Sequence, residues 1–335
     1  MTRRLRPRRG VAAAVAAIGA AWLALAVIAG GRAAAHDLRP GVLALVEVGP
    51  GDYAVRFVAP VDNLGESTDV TIVWPAGCVA DRDGARLRCA EGLAGPLVVR
   101  GMHGRSMRTV VQVTRRDGAR AEWIVGADAP SVDLGAPPPR AWRPWLALGV
   151  AHILGGLDHL AFVIGLLLVL DGVLDRRLLA TISAFTAAHS LTLALAALGV
   201  VGVAAAPVEA CIAASVLLVA REATHREPTV IRRWPWLAAA GFGLVHGLGF
   251  AGALGDLGLP RASLASSLVW FNLGVEVGQL AVVATVVLLV RLGRRLVAGH
   301  PAVGPRAHRV ACYALGGVAA WWLLGRVVTI AVAGA

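Results

Sequence analysis

Four histidines and two acids stand inside stretches that are otherwise almost wholly apolar: His152, Asp158 and His159 in one, His189 in a second, His246 in a third and Glu276 in a fourth. Imidazole and carboxylate together form a ligand set of borderline hardness, suited to a divalent transition metal ion. No methionine lies in these stretches, which disfavours copper(I) there. Nickel, cobalt and zinc suit the set better, and spacing does not choose among them.

The run His152-Ile153-Leu154-Gly155-Gly156-Leu157-Asp158-His159, read as one helix, places its two histidines about 20° from alignment. Gly155 and Gly156 then fall on the same face, where a neighbouring helix could approach closely. Asp158 points about 100° away, so it either orients His159 or binds from a distorted helix. Thr186, His189 and Ser190 share a face, and His246 stands among Gly243, Gly247 and Gly249. A lone histidine inside a span can also serve only to hydrogen-bond another helix. Asn272, Glu276 and Gln279 lie within about 60° of one another around their helix. Ionisable groups at membrane depth cost about 2.5 to 3.5 kcal/mol each on insertion scales, so they normally face partners, water or a pathway. Glu209 follows Pro207 at the start of an apolar segment, where the positive end of a helix dipole favours an acid. Glu222 and His225 lie beside arginines and read as a solvated ion-pair region.

The elements that must hold these groups are membrane helices. The chain has 335 residues, 57% of them hydrophobic, in long runs of the kind that span a bilayer. Six spans are expected, at 145 to 170, 178 to 199, 207 to 221, 234 to 255, 264 to 290 and 311 to 333, after a proline-rich linker at 137 to 144. Alternate loops hold Arg176 and Arg177, then Arg221, Arg226, Arg232 and Arg233, then Arg291, Arg294, Arg295, Arg306 and Arg309, while the opposite loops hold only Arg261. The positive-inside rule therefore puts both residue 140 and the C-terminus outside the cytoplasm. Trp145, Trp234, Trp236 and Trp270 are expected near the membrane interfaces. The net charge of +11 is no nucleic-acid footprint, because six arginines fall within the first 35 residues.

Residues 1 to 35 read as a secretory signal, with an arginine-rich start, an apolar stretch and Ala33-Ala34-Ala35 before His36. An uncleaved anchor is the alternative, and either places the next domain outside the cytoplasm. In residues 36 to 136, short β-branched runs alternate with turn formers, which predicts a small antiparallel β sandwich. Cys78 and Cys89 flank the Asp83-Gly84 turn and could close a hairpin by a disulfide, which contributes about 2 to 4 kcal/mol in an oxidising compartment; two buried free thiols are the alternative. An N-terminal His36 would offer an amine and an imidazole to copper(II) or nickel(II), or would simply follow a cleavage site. Met102, His103 and Met107 are weaker candidates, on what reads as a mobile loop.

The same residues resemble the HupE/UreJ family of membrane proteins. The family-like elements are the His152 to His159 run, Phe185-Thr186-Ala187-Ala188-His189-Ser190, Val245-His246-Gly247 before Phe250, and Phe271-Asn272-Leu273-Gly274-Val275-Glu276 before Gln279. The leader, the outer domain and His36 look like the longer branch of that family. The better studied short members carry a second histidine-rich stretch in a later helix, where this chain has His246 alone. The resemblance implies an inner-membrane permease for nickel or cobalt, associated with hydrogenase and urease systems, with zinc and copper left open. It makes the six ionisable residues named first the metal set, with His36, Glu209, Asn272 and Gln279 secondary. No catalytic residue is expected, and the chain is read as a carrier, not an enzyme. The competing readings are an intramembrane metalloenzyme holding one metal permanently, and a membrane scaffold for a metalloenzyme system whose outer domain binds another protein.

Overall fold

The computed structural model describes residues 40–60, 69–102, 107–137, 142–171, 174–225, 227, 229–249, 261–296 and 303–333. The leader, His36, His103 and residues 138–141 of the proline-rich linker lie outside them.

The N-terminal part is rich in strands. A six-stranded sheet is formed by β1 (Gly41–Gly49), β2 (Asp52–Val58), β4 (Cys78–Ala80), β5 (Arg86–Cys89), β7 (Arg108–Thr114) and β8 (Arg120–Gly126), in the order β4-β5-β2-β1-β7-β8. A three-stranded sheet is formed by β3 (Thr71–Val73), β6 (Pro96–Arg100) and β9 (Ser131–Asp133), in the order β3-β6-β9. Neighbours are antiparallel except β1 and β7, which run parallel, a departure from the antiparallel expectation. Residues of both sheets, among them Leu43, Leu45, Val111 and Val113 with Leu97 and Val99, share one apolar core. Met102 and Met107 belong to that core, so their thioethers fill space in it and do not ride on a mobile loop. Cys78 and Cys89 sit opposite each other across β4 and β5 and are joined by a disulfide.

The rest of the chain is helical: α1 (Trp142–Gly155), α2 (Leu157–Val169), α3 (Arg176–Ala197), α4 (Ala205–Thr224), the short α5 (Val230–Arg233), α6 (Pro235–Gly249), α7 (Arg261–Leu296) and α8 (Val303–Ala333). Among the described residues α3, α7 and α8 are long and apolar enough to cross a membrane, and α1 with α2 makes a fourth candidate if the bent pair is one span. The helix expected over 145 to 170 is therefore not continuous. Gly156 adopts extended backbone ahead of α2, and the two halves meet at 71°. Two adjacent glycines carry the largest backbone entropy cost in a helix, so the break falls where helical order is least favoured.

Glycine also sets two helix crossings. A Cβ on Gly149 of α1 would stand 2.0 Å from the Phe271 carbonyl oxygen, and one on Gly274 of α7 would stand 2.2 Å from that of Leu146. Gly243 and Gly247 of α6 lie as tightly on the Phe185 and His189 carbonyls of α3. Close backbone approach through small residues drives helix association where lipid removes the hydrophobic incentive.

The strand-rich domain seats on the helices. Val42 and Val110 enter one buried cluster with Trp145, Leu148, Leu264 and Leu268, and the Trp145 indole Nε1 donates to Glu122 Oε2 at 2.6 Å. Trp145 is thus covered by protein and is not an interface anchor, whereas Trp234 and Trp236 are exposed. Burial raises the Glu122 carboxyl above its ordinary range, opposed in part by the Trp145 hydrogen bond and the charge of Arg120.

Gly149→Ala should force α1 and α7 apart and cost about 1 to 3 kcal/mol, seen as a lower Tm in detergent. Gly317→Ala, whose Cβ meets nothing within 4 Å, should leave Tm nearly unchanged. A raised carboxyl value in the folded state means that Glu122 favours the docked form in acid, and that this contribution fades as pH rises through the raised value. Glu122→Gln keeps an acceptor for Trp145 without the buried charge. It should match wild-type Tm near about pH 4 and exceed it near about pH 7.5; an equal difference at both would refute this account.

Candidate functional site

His152 stands in the last turn of α1 and His159 in the first of α2. The bend between the helices turns their rings towards each other, with centroids 4.8 Å apart. His159 is the hub of the cluster: its ring lies 5.2 Å from that of His246 on α6 and 6.0 Å from that of His189 on α3. His152 and His189 are 6.1 Å apart. All four rings are buried. Phe271 stands 5.5 Å from His152, Phe185 5.1 Å from His246 and Phe162 5.3 Å from His246, so aromatic walls flank the imidazoles.

Asp158, 1% exposed, begins α2, where the helix N-terminus favours a negative charge. Its Oδ1 accepts from the His159 backbone N–H and lies 2.8 Å from His159 Nδ1. A carboxylate there favours a proton on Nδ1 and leaves the lone pair on Nε2. Asp158 is placed to orient His159, one of the two roles its spacing left open. The expected alignment of the two histidines along one helix face is replaced by a turn, and they meet because the helix breaks.

An imidazole bound to a metal at about 2.0 to 2.1 Å has its centroid about 3.2 Å from the ion, so two rings on one tetrahedral ion stand about 5.2 Å apart and opposite rings on an octahedral ion about 6.4 Å. The 5.2 Å between His159 and His246 matches the tetrahedral value, whereas His189, at 6.0 and 6.1 Å from His159 and His152, could stand opposite only one of them. Among the described residues no group of three or more His, Cys, Asp and Glu side chains is already arranged around a metal position, so closing on an ion requires rotation of the rings. Both ring nitrogens of His189 are buried without a hydrogen-bond partner among the described residues. Orphaned polar atoms of this kind cost about 1 to 3 kcal/mol each, and a cation would satisfy the one that carries the lone pair.

The other candidates are placed differently. Glu276 is half-buried and accepts from the exposed Ser183 hydroxyl at 2.6 Å, while Gln279 Oε1 accepts from Thr186 at 2.9 Å; both bonds tie α7 to α3. Asn272 donates to the Leu268 carbonyl, and its buried Oδ1 has no hydrogen-bond partner among the described residues. Glu209 is paired with Arg326 of α8 at 2.8 Å. That arginine is the one charged residue in the apolar stretch 311 to 333, a signal that could have been matched to the isolated acid. Glu222 is 3% exposed and not solvated, because the end of α4 is covered by α8, where His308 Nε2 stands 3.0 Å from the Ala223 carbonyl oxygen. Sequence reasoning also passed over Ser215 of α4, which lies 3.0 Å from His246 Nε2; a single serine in an apolar segment carries little signal.

Three membrane-length helices, and a fourth candidate broken at a glycine pair, around a buried group of imidazoles define a helical membrane protein. Residues 131–326 match the family model described as HupE / UreJ protein, and the chain belongs to that family. No curated protein and no solved structure matches it.

Metal-free His189→Leu should melt no lower than wild type, because it removes two unsatisfied nitrogens from a buried position. Divalent nickel should raise the Tm of wild type and raise that of the variant less. A variant that melts well below wild type without metal would show that His189 is held by contacts other than those described.

Proposed function

We propose that the protein is a permease that carries a divalent transition metal ion, nickel or cobalt before zinc or copper, across the bacterial inner membrane. The observation that supports this reading best is the gathering of three buried imidazoles, those of His152, His189 and His246, around that of His159. The ion would shed water as it meets the imidazoles, and rotation of the rings rather than a rigid preset cage suits a site that must also release its cargo. Ion and proton compete for the same imidazole lone pairs, which offers a means of exchange at the site.

In this reading all six apolar segments cross the bilayer, the strand-rich domain and the C-terminus lie on the periplasmic side, and the arginine-rich loops face the cytoplasm. Residues 1–35 direct export, and the β domain receives the ion or a protein partner above the helices. Glu276, held on α7 by Ser183 of α3, assists passage. The protein acts as a carrier, not as an enzyme.

The test is cellular nickel, cobalt, copper and zinc measured by mass spectrometry in a deletion strain expressing wild type or His152→Ala at equal membrane levels. A change in one metal that wild type restores and the variant does not is the expected outcome. If no metal responds to deletion or rescue, the permease reading fails.

A further inference from the structure

His246 and Ser215 form a buried pair between α6 and α4, with His246 Nε2 and Ser215 Oγ 3.0 Å apart. Ser215 Oγ also stands 2.7 Å from the Ile212 carbonyl oxygen, three residues back in its own helix. A serine hydroxyl has one proton to donate and lone pairs to accept with, whereas a carbonyl oxygen can only accept. The Ser215 proton is therefore directed to Ile212, and Oγ turns a lone pair towards the imidazole. Nε2 must then be the nitrogen that carries the ring proton, and in a neutral imidazole the lone pair falls on Nδ1.

Packing holds the two partners in this register. Gly249 of α6 faces Ile212, where a Cβ would meet Ile212 Cδ1 at 2.9 Å. The ring of His246 is flanked by Phe162 and Phe185. Ser215 thus does for His246 what Asp158 does for His159, but at the opposite nitrogen.

We propose that Ser215 is a positioning residue that locks His246 as the Nε2–H tautomer, so that Nδ1 is the nitrogen His246 offers to a divalent cation. The tautomer is argued from the two contacts of the Ser215 hydroxyl; only the cation depends on the function proposed above. The cluster then presents Nε2 from His159 and Nδ1 from His246, and an outer partner that fixes a ligand's tautomer is commonly worth 10- to 100-fold in metal affinity, roughly.

The experiment is nitrogen-15 NMR of histidine-labelled full-length protein in lipid bilayers, metal-free, with the His246 signals assigned by their loss in His246→Gln. Wild type should show Nε2–H at His246, Ser215→Ala should lose that preference, and Ser215→Thr, which restores a hydroxyl, should regain it. An Nδ1–H tautomer in wild type, or an unchanged tautomer in Ser215→Ala, overturns the proposal. If Ser215→Ala does not fold, the wild-type and Ser215→Thr spectra still decide it. Titration with zinc, a diamagnetic probe, should then shift His246 Nδ1 in wild type, and Ser215→Ala should bind roughly 10- to 100-fold more weakly. The expected tautomer without a zinc shift would overturn His246 as a ligand and leave its positioning by Ser215 intact.

Discussion

The arrangement turns on a break in the backbone between α1 and α2. At Gly155-Gly156 the helix gives way to extended chain and resumes at 71°. Had the helix continued, the two histidines of this run would have been stacked along one face about two turns apart, near 10 Å. The bend instead brings their rings to 4.8 Å and exposes a fresh helix N-terminus at which Asp158 is electrostatically at home. It also makes His159 reachable from α3 and α6, which is why one residue contacts all three other rings. A backbone break inside an apolar segment is tolerated only where protein covers it, and the packing of α3, α6 and α7 around the bend supplies that cover.

Around the break, glycine decides how near the helices come. Gly149 and Gly274 let α1 meet α7 backbone to backbone, which seats Phe271 against His152. Gly243 and Gly247 do the same for α6 on α3 and so set His246 beside Phe185. The remaining polar groups of the bundle are spent on pairing helices: Glu209 with Arg326, Glu276 with Ser183, Gln279 with Thr186. These contacts separate the ionisable residues into two populations, imidazoles gathered at the bend and carboxylates engaged elsewhere, with Asp158 the acid that accompanies the imidazoles.

The seating of the strand-rich domain adds a further constraint. One buried apolar seam runs from Val42 and Val110 through Trp145 and Leu148 to Phe271 and Val275, so the domain and the helices that carry the site are packed against one another. Trp145 shows how a residue type can mislead. Its amphipathic ring is as suitable for a membrane interface as for a buried contact with a carboxylate, and only the presence of Glu122 at 2.6 Å distinguishes them.

The sequence by itself determined the strand-rich and helical halves, the apolar segments, the hairpin cysteines and the identity of the four histidines, because alternation, run length and a buried ionisable group are local signals that survive in one dimension. The β-branched and alternating runs at 41 to 48, 53 to 58, 69 to 74, 97 to 100, 109 to 114 and 122 to 125 each carry a strand. The short β4, β5 and β9 were not legible, since three or four residues carry too little pattern. Tertiary structure alone decided that Gly155 and Gly156 break a helix rather than line it, that β1 pairs in parallel with β7, that Glu222 is covered, and that Ser215 meets His246. Each of these depends on which distant segment arrives at the residue, and a side chain's partner, unlike its polarity, is not a property of its own stretch of chain.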